Sequence, residues 1–245
     1  DVTTGRELLR SWSPTRALEL LATPDGQRIV ERGAGALVQV HYAGSRPDAV
    51  FLSGHRGAVR LAGFAGVGAA QTIHSVDATG EARVYAVGTP AMSPANLVAV
   101  HGGGSVLRAA ARDVARTALA TLTADGKVTV VSLATGALAW SRTESLAAVQ
   151  HLDLSAQGQA VVAVNAQRVQ VWRNGAPSQT LDSMPVQRAY LDATGLHILC
   201  LGRDNRAEVV EVATGRKMGA LEWTSRSGAQ GAHTAVAVPQ GGWAL

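Results

Sequence analysis

The stretch Lys127-Val-Thr-Val-Val-Ser-Leu-Ala-Thr-Gly136 decides the reading of this chain. It is a short run rich in β-branched residues that closes on a Thr-Gly turn. It returns as Arg206-Ala-Glu-Val-Val-Glu-Val-Ala-Thr-Gly215 and, cut short, as Asp1-Val-Thr-Thr-Gly5. The residue that ends each such strand serves as a ruler. One ruler position precedes Asp1; the others are His41, Tyr85, Val131, Trp172 and Val210, at spacings of 41, 44, 46, 41 and 38 residues. A unit of about forty residues cannot bury its own apolar face, so such units must stack on one another.

Turn residues support the same register. Asp25-Gly26, Gln157-Gly158 and Thr194-Gly195 fall where a first hairpin should close. Gly35, Gly80, Asp125-Gly126 and Asp204-Asn205 fall near a second. Tight hairpins need residues that tolerate positive φ, which is why Gly, Asn and Asp collect there. Between the turns, Val128-Thr-Val130 and Val169-Gln-Val171-Trp172 alternate as half-buried strands do. Ala160–Val164 and His197–Leu201 are almost continuously apolar, as suits strands covered on both faces. The segment Val106–Leu122 carries strong helix formers, with Arg108, Arg112 and Arg116 at helical spacing. The register of the flanking units reads it instead as two strands with a turn around Asp113.

Four short strands per unit is the make-up of a propeller blade. The expected fold is an all-β propeller of about six four-stranded blades, or a fragment of a seven-bladed or larger ring. Residues 1–245 are read as one domain, five complete repeats plus a split or truncated sixth, within a longer protein. The segment Glu7–Trp12 would supply the outer strand of the blade begun by Ala232–Val238.

Composition narrows the function classes. The chain is 47% hydrophobic but only 4% aromatic, so the core is built of Ala, Val and Leu. Its single cysteine, Cys200, excludes a disulfide framework within the chain and reads as a small buried hydrophobe. No apolar run reaches the ~18–20 residues of a membrane-spanning helix. The net charge of +4 comes with arginines spread along the sequence, not gathered into the basic stripe of a nucleic-acid binder. The compartment is not readable.

The unit Gly54-His55, Ala58-Val-Arg60, Ser75-Val-Asp77 and Ala82-Arg-Val-Tyr85 resembles the WD-repeat family. That resemblance implies a hydrogen-bonded structural tetrad, here His55, Ser75, Asp77 and, in place of the usual Trp, Tyr85. It also implies a propeller that binds proteins. Elsewhere the pattern decays: Trp172 is followed by Arg173, and Val131 and Val210 stand where Trp is usual. A second resemblance, to quinoprotein-type propeller repeats, rests on Thr135-Gly136 followed by Trp140. It implies a cofactor-binding enzyme or an envelope assembly factor.

Other constellations fall short of chemistry. His101-Gly-Gly-Gly104 is similar to an esterase oxyanion segment, but the chain has no Gly-x-Ser-x-Gly turn to supply the nucleophile. Gly33-Ala-Gly35 and Gly66-Val-Gly68 lack the third glycine of a dinucleotide fingerprint. His55, Ser75 and Asp77 are the residue types of a catalytic triad, and the competing expectation is the structural tetrad. Arg108, Arg112 and Arg116 form a candidate basic contact surface for phosphate or an acidic partner, although in strands they would not share one face. The expectation is a non-enzymatic scaffold or regulatory domain without catalytic, metal or cofactor residues. Its partners would be other proteins or other domains of the same polypeptide. A quinoprotein-type or nucleic-acid-associated propeller is the alternative.

Overall fold

The computed structural model describes residues 17–23, 25–42, 50–66, 71–87, 97–102, 104–144, 146, 149–165, 168–176, 179–181, 185–202, 206–222, 236–237 and 243–244. Among these the structure is all-β, interrupted by one short turn of 3-10 helix at Ala156–Gly158. Sheet 1 comprises β1 (Ala17–Ala22), β2 (Arg28–Gly33), β3 (Val38–Tyr42) and β4 (Val50–Leu52). Sheet 2 comprises β5 (Val59–Ala65), β6 (Thr72–Asp77), β7 (Ala82–Ala86) and β8 (Leu97–His101). Sheet 3 holds β9 (Leu107–Arg112), β10 (Ala118–Thr123), β11 (Lys127–Ser132) and β12 (Leu138–Thr143). Sheet 4 holds β13 (Val149–Leu154), β14 (Ala160–Asn165), β15 (Val169–Arg173) and β16 (Gln179–Leu181). Sheet 5 holds β17 (Val186–Leu191), β18 (His197–Gly202), β19 (Arg206–Glu211) and β20 (Lys217–Glu222). A hairpin of β21 (Val236–Ala237) and β22 (Trp243–Ala244) follows. In each four-stranded sheet the strands pair in chain order, so every connection inside a sheet is a hairpin.

The five sheets share one register. His41, Tyr85, Val131, Trp172 and Val210 are each the last residue but one of a third strand. Each pairs with the second residue of the second strand: Ile29, Ile73, Leu119, Val161 and Ile198. Each first strand also carries a bulge at its second residue, Leu18, Arg60, Arg108, Gln150 or Gln187, which is left out of the ladder. A bulge adds a residue on one strand and sharpens its twist. Its recurrence at one position marks the sheets as copies of one unit, independently of side-chain identity.

The first hairpins explain why the local sequence closes where it does. Thr23 Oγ1 accepts the backbone N–H of Arg28 at 3.0 Å, and Asp113 Oδ1 accepts that of Ala118 at 2.8 Å. Ser155 Oγ accepts Ala160 N–H at 2.9 Å, and Asp192 Oδ1 accepts His197 N–H at 3.4 Å. In each case the acceptor is five residues before the first residue of the second strand. Three residues after the acceptor the chain turns left-handed, at Gly26, Gly158 and Gly195 with φ of 65°, 71° and 69°. In sheet 3 the same position is Arg116, at φ 57°. Residues 107–123 are therefore two strands joined at Asp113, despite their helix-forming composition. The aspartate side chain binds the donors that a helix would use elsewhere.

The chain divides into two compact units, residues 1–104 with 134–136, and residues 105–133 with 137–245. In the first unit, Val30, Val38, Val40 and Leu52 of sheet 1 pack against Val59, Ala62, Phe64, Ile73 and Tyr85 of sheet 2. In the second, sheet 4 lies between sheets 3 and 5. Its Leu152, Leu154, Val161, Ala163 and Trp172 meet Leu122, Val128 and Val130. Its opposite face, Val162, Val164, Val169 and Val171, meets Ala189, Leu191, Ile198, Cys200 and Val210. Burying each Val, Leu or Ile contributes about 1.5–3 kcal/mol. The apolar run Ala160–Val164 is thus covered on both sides by neighbouring sheets.

The Thr-Gly copy at residues 1–5, the Glu7–Trp12 strand, the Asp204-Asn205 turn, Val67 and Gly68 of the Gly66-Val-Gly68 run and, apart from Val236–Ala237, the Ala232–Val238 segment lie outside the described residues. So do Trp12 and Trp223.

Candidate functional site

His55 stands in the link between β4 and β5, Ser75 and Asp77 on β6, and Tyr85 on β7. Tyr85 faces Ile73, so Tyr85, Ser75 and Asp77 lie on one face of sheet 2, and His55 reaches Ser75 and Asp77 from the link. His55 Nε2 and Ser75 Oγ share a hydrogen bond of 2.6 Å. His55 Nδ1 lies 3.3 Å from Asp77 Oδ2, a charge contact without hydrogen-bond alignment. Asp77 Oδ2 accepts the backbone N–H groups of Arg56 and Gly57, both at 3.1 Å. Its Oδ1 accepts Thr79 N–H at 2.9 Å, Thr79 Oγ1–H at 2.7 Å and Glu81 N–H at 3.0 Å. Tyr85 donates its hydroxyl to the Ser53 carbonyl at 3.3 Å.

Every one of these side chains therefore grips the sheet 1–sheet 2 link, or a residue that grips it. The backbone adds to this, since Ala78 N–H donates to the Ala58 carbonyl at 2.8 Å. Arg83 lies over Gly54, which stands at φ 113°, and pairs with Glu81. That φ is one L side chains rarely adopt, so the position favours glycine, and a Cβ there would also displace the Arg83 guanidinium.

Electrostatics agree with a static role. Burial pushes the His55 imidazole below its ordinary pKa; the Asp77 charge opposes this and does not overcome it. Burial alone would raise the Asp77 carboxyl. Hydrogen bonds from Thr79, Glu81 and Gly57, with His55 nearby, outweigh it and hold the carboxyl below the usual range. A catalytic triad needs an accessible nucleophile and an acid that orients the imidazole. Ser75 and Asp77 are 0% exposed, and Asp77 is occupied by five donors. Ser75 Oγ is thus enclosed, with its hydrogen bond directed at His55.

The three arginines do not form one face. Arg108 is the exposed bulge residue of β9, Arg112 ends that strand half-buried, and Arg116 is in the following turn. Of His101-Gly-Gly-Gly104, His101 ends β8 and Gly103 lies outside the described residues. Gly33-Ala-Gly35 lies in the β2–β3 hairpin and not at a strand-to-helix turn. Cys200 is buried in the sheet 4–sheet 5 core. Trp140, the quinoprotein-like position, donates its indole N–H to the Gly158 carbonyl at 3.0 Å and so bridges sheets 3 and 4. Among the described residues, no group of three or more His, Cys, Asp or Glu could hold a metal ion. None of their helices is long and apolar enough to cross a membrane.

Reading the sequence missed two features. The recurring hairpin acceptors Thr23, Asp113, Ser155 and Asp192 were legible as a Ser, Thr or Asp three residues before a left-handed position. The buried pair of His41 Nε2 and Glu31 Oε2, 2.9 Å apart in sheet 1, was not, because it joins two strands diagonally. Comparison with family models returns no match, and comparison with curated proteins returns none either.

Proposed function

We propose that this chain is a WD-repeat-like β-propeller that acts without catalysis, as a rigid platform for other proteins or for other segments of its own polypeptide. Five sheets of identical register, with β21–β22 as the start of a sixth blade, support the propeller reading. The observation that carries the functional reading is the sealed His55–Ser75–Asp77 network. This arrangement, which has the residue types of a hydrolase, is spent on pinning a loop. Stiff sheets that present loops lose little entropy on binding, which suits recognition.

The second reading is a quinoprotein-type propeller. It is favoured by Trp140, whose indole ties sheet 3 to sheet 4 from a Thr-Gly-led turn. Titration of the purified chain with a quinone cofactor separates the two. The platform reading expects no change in absorbance or melting temperature, and saturable binding to a purified partner protein. Stoichiometric quinone binding with a raised melting temperature contradicts it. So does labelling of Ser75 in the folded chain by a serine-reactive fluorophosphonate.

A further inference from the structure

Each fourth strand is the last of its sheet, so the backbone groups along its far side have no ladder partner within that sheet. Such an edge accepts another strand unless its side chains repel one. The fourth strands differ in what they offer. β4 (Val50-Phe-Leu52) and β16 (Gln179-Thr-Leu181) are short and carry no charge. β8 ends on His101, and β12 carries Arg142 with no acid in the strand. β20, Lys217-Met-Gly-Ala-Leu-Glu222, has a base at one end and an acid at the other.

The β20 edge is open. Lys217, Gly219 and Ala220 are exposed, and Met218 is 49% exposed. A Cβ on Gly219 would meet nothing within 4 Å. Lys217 pairs with Glu208 of β19, yet half of its side chain is in water. An ammonium has three donors, so that pair leaves it able to make another.

The ladder fixes how a second strand would fit. Val209 pairs with Gly219 and Val210 with Lys217, so Met218 is a bulge left out of the ladder. The ladder positions are then Lys217, Gly219, Ala220, Leu221 and Glu222, with Ala220 at the centre. Faces alternate along a ladder, so the bulge brings positions 217 and 222 to one face, where an unbroken strand would set them on opposite faces. A second β20 running antiparallel, related by a two-fold axis at Ala220, sets each Lys217 against the Glu222 of the other copy. Gly219 meets Leu221, and Ala220 meets Ala220. Opposite charges directly across an antiparallel pair attract, and a two-fold contact of this kind closes on itself. β12 has the same bulge, at Ala139. Its two-fold register, about Ser141, sets Leu138 against Thr143 and Trp140 against Arg142, without opposite charges.

We propose that β20 is a self-pairing edge: two copies of this chain join through antiparallel β20 strands into one continuous sheet, with a Lys217–Glu222 pair at each end. The contact is small, below the roughly 1,200 Å² of stable complexes, so the dimer is weak and forms as concentration rises.

The test is sedimentation velocity of the full chain over a concentration series. The wild type should show a monomer–dimer equilibrium. Lys217→Glu sets acid against acid at both ends, and Glu222→Lys sets base against base. Each alone should weaken the dimer by about tenfold or more. Glu222→Lys leaves the Lys217–Glu208 pair untouched and so carries the decision should Lys217→Glu fail to fold. An equimolar mixture of the two variants has opposite charges in both pairs and should restore association, as should the double variant K217E/E222K with itself. A wild type that stays monomeric at the highest concentration, its edge taken by another chain or another segment, overturns the proposal. So does a dimer that Glu222→Lys leaves intact, or one that neither the mixture nor the double variant restores.

Discussion

At the place where sheet 2 has Ser75, sheet 4 has Ala163, and where sheet 2 has Tyr85, sheet 4 has Trp172. The registers match residue for residue: Ile73 faces Tyr85 as Val161 faces Trp172, and Ser75 faces Arg83 as Ala163 faces Gln170. The last positions of the second strands, Asp77 and Asn165, also correspond. In sheet 2 these positions form a polar clamp on the preceding link. In sheet 4 the aromatic is fully buried, its indole Nε1 has no hydrogen-bond partner, and Asn165 Oδ1 accepts the Arg168 N–H of its own turn. One scaffold thus tolerates either a buried polar network or an apolar wedge at the same address. An unsatisfied buried donor costs about 1–3 kcal/mol, so sheet 4 relies on packing to offset it.

The largest break in this comparison comes from removing the clamp. Asp77→Ala leaves the Arg56, Gly57, Thr79 and Glu81 donors without their acceptor. It should cost about 3–5 kcal/mol. At ~2–4 °C per kcal/mol for a chain of this size, that lowers Tm by roughly 6–20 °C. Asn165→Ala in sheet 4 should cost less, about 1 kcal/mol, because the turn bond to the Arg168 N–H is exposed and water replaces the lost acceptor. Calorimetry of the two variants checks both halves.

Acid provides the next test. The folded pKa values of His55 and Asp77 both lie below their unfolded values. The contribution of His55 is therefore present above about pH 6.5 and is lost as pH falls through its lowered pKa. That of Asp77 is present above about pH 4 and is lost below it. Denaturant unfolding between pH 7 and 5 should show falling stability in the wild type, and a shallower fall in His55→Gln. Equal slopes contradict the assignment of a buried neutral imidazole.

Smaller effects sharpen the same contrast. Ala163→Ser places a hydroxyl near the orphaned Trp172 indole and should stabilise by up to about 1 kcal/mol, whereas an ordinary buried hydroxyl costs stability. Arg116→Gly, at the left-handed position that the other first hairpins give to glycine, should gain roughly 0.5–1 kcal/mol. Both are read from urea midpoints at constant m-value.

The strand order was legible because hairpin signals and alternation are local. The ruler residues fell at one structural position in all five sheets even though His, Tyr, Val and Trp alternate there. Burial, not residue type, is what that position demands. The Leu107–Thr123 segment was harder, since its Ala and Arg content favours a helix when read alone. The cap from Asp113 to Thr117 and Ala118 settles it, and a side-chain-to-backbone bond leaves only a faint sequence trace. The clamp was visible as residue types near the right spacing. Its grip on Arg56 and Gly57 was not, because backbone donors have no sequence signature. The bond from the Leu191 N–H of β17 to Asp153 Oδ2 of β13 was hidden for a related reason: it joins strands almost forty residues apart through a main-chain group.

The most direct test of the central claim, that His55, Ser75 and Asp77 clamp a loop and do no chemistry, is the melting temperature of Ser75→Ala. A clamp loses the 2.6 Å bond to His55 and leaves a buried imidazole nitrogen unsatisfied, which predicts a loss of about 1–3 kcal/mol and a Tm lower by roughly 2–12 °C. A nucleophile held for catalysis is a site where stability yields to function, so its removal leaves Tm unchanged or raises it. An unchanged or higher Tm in Ser75→Ala contradicts this account.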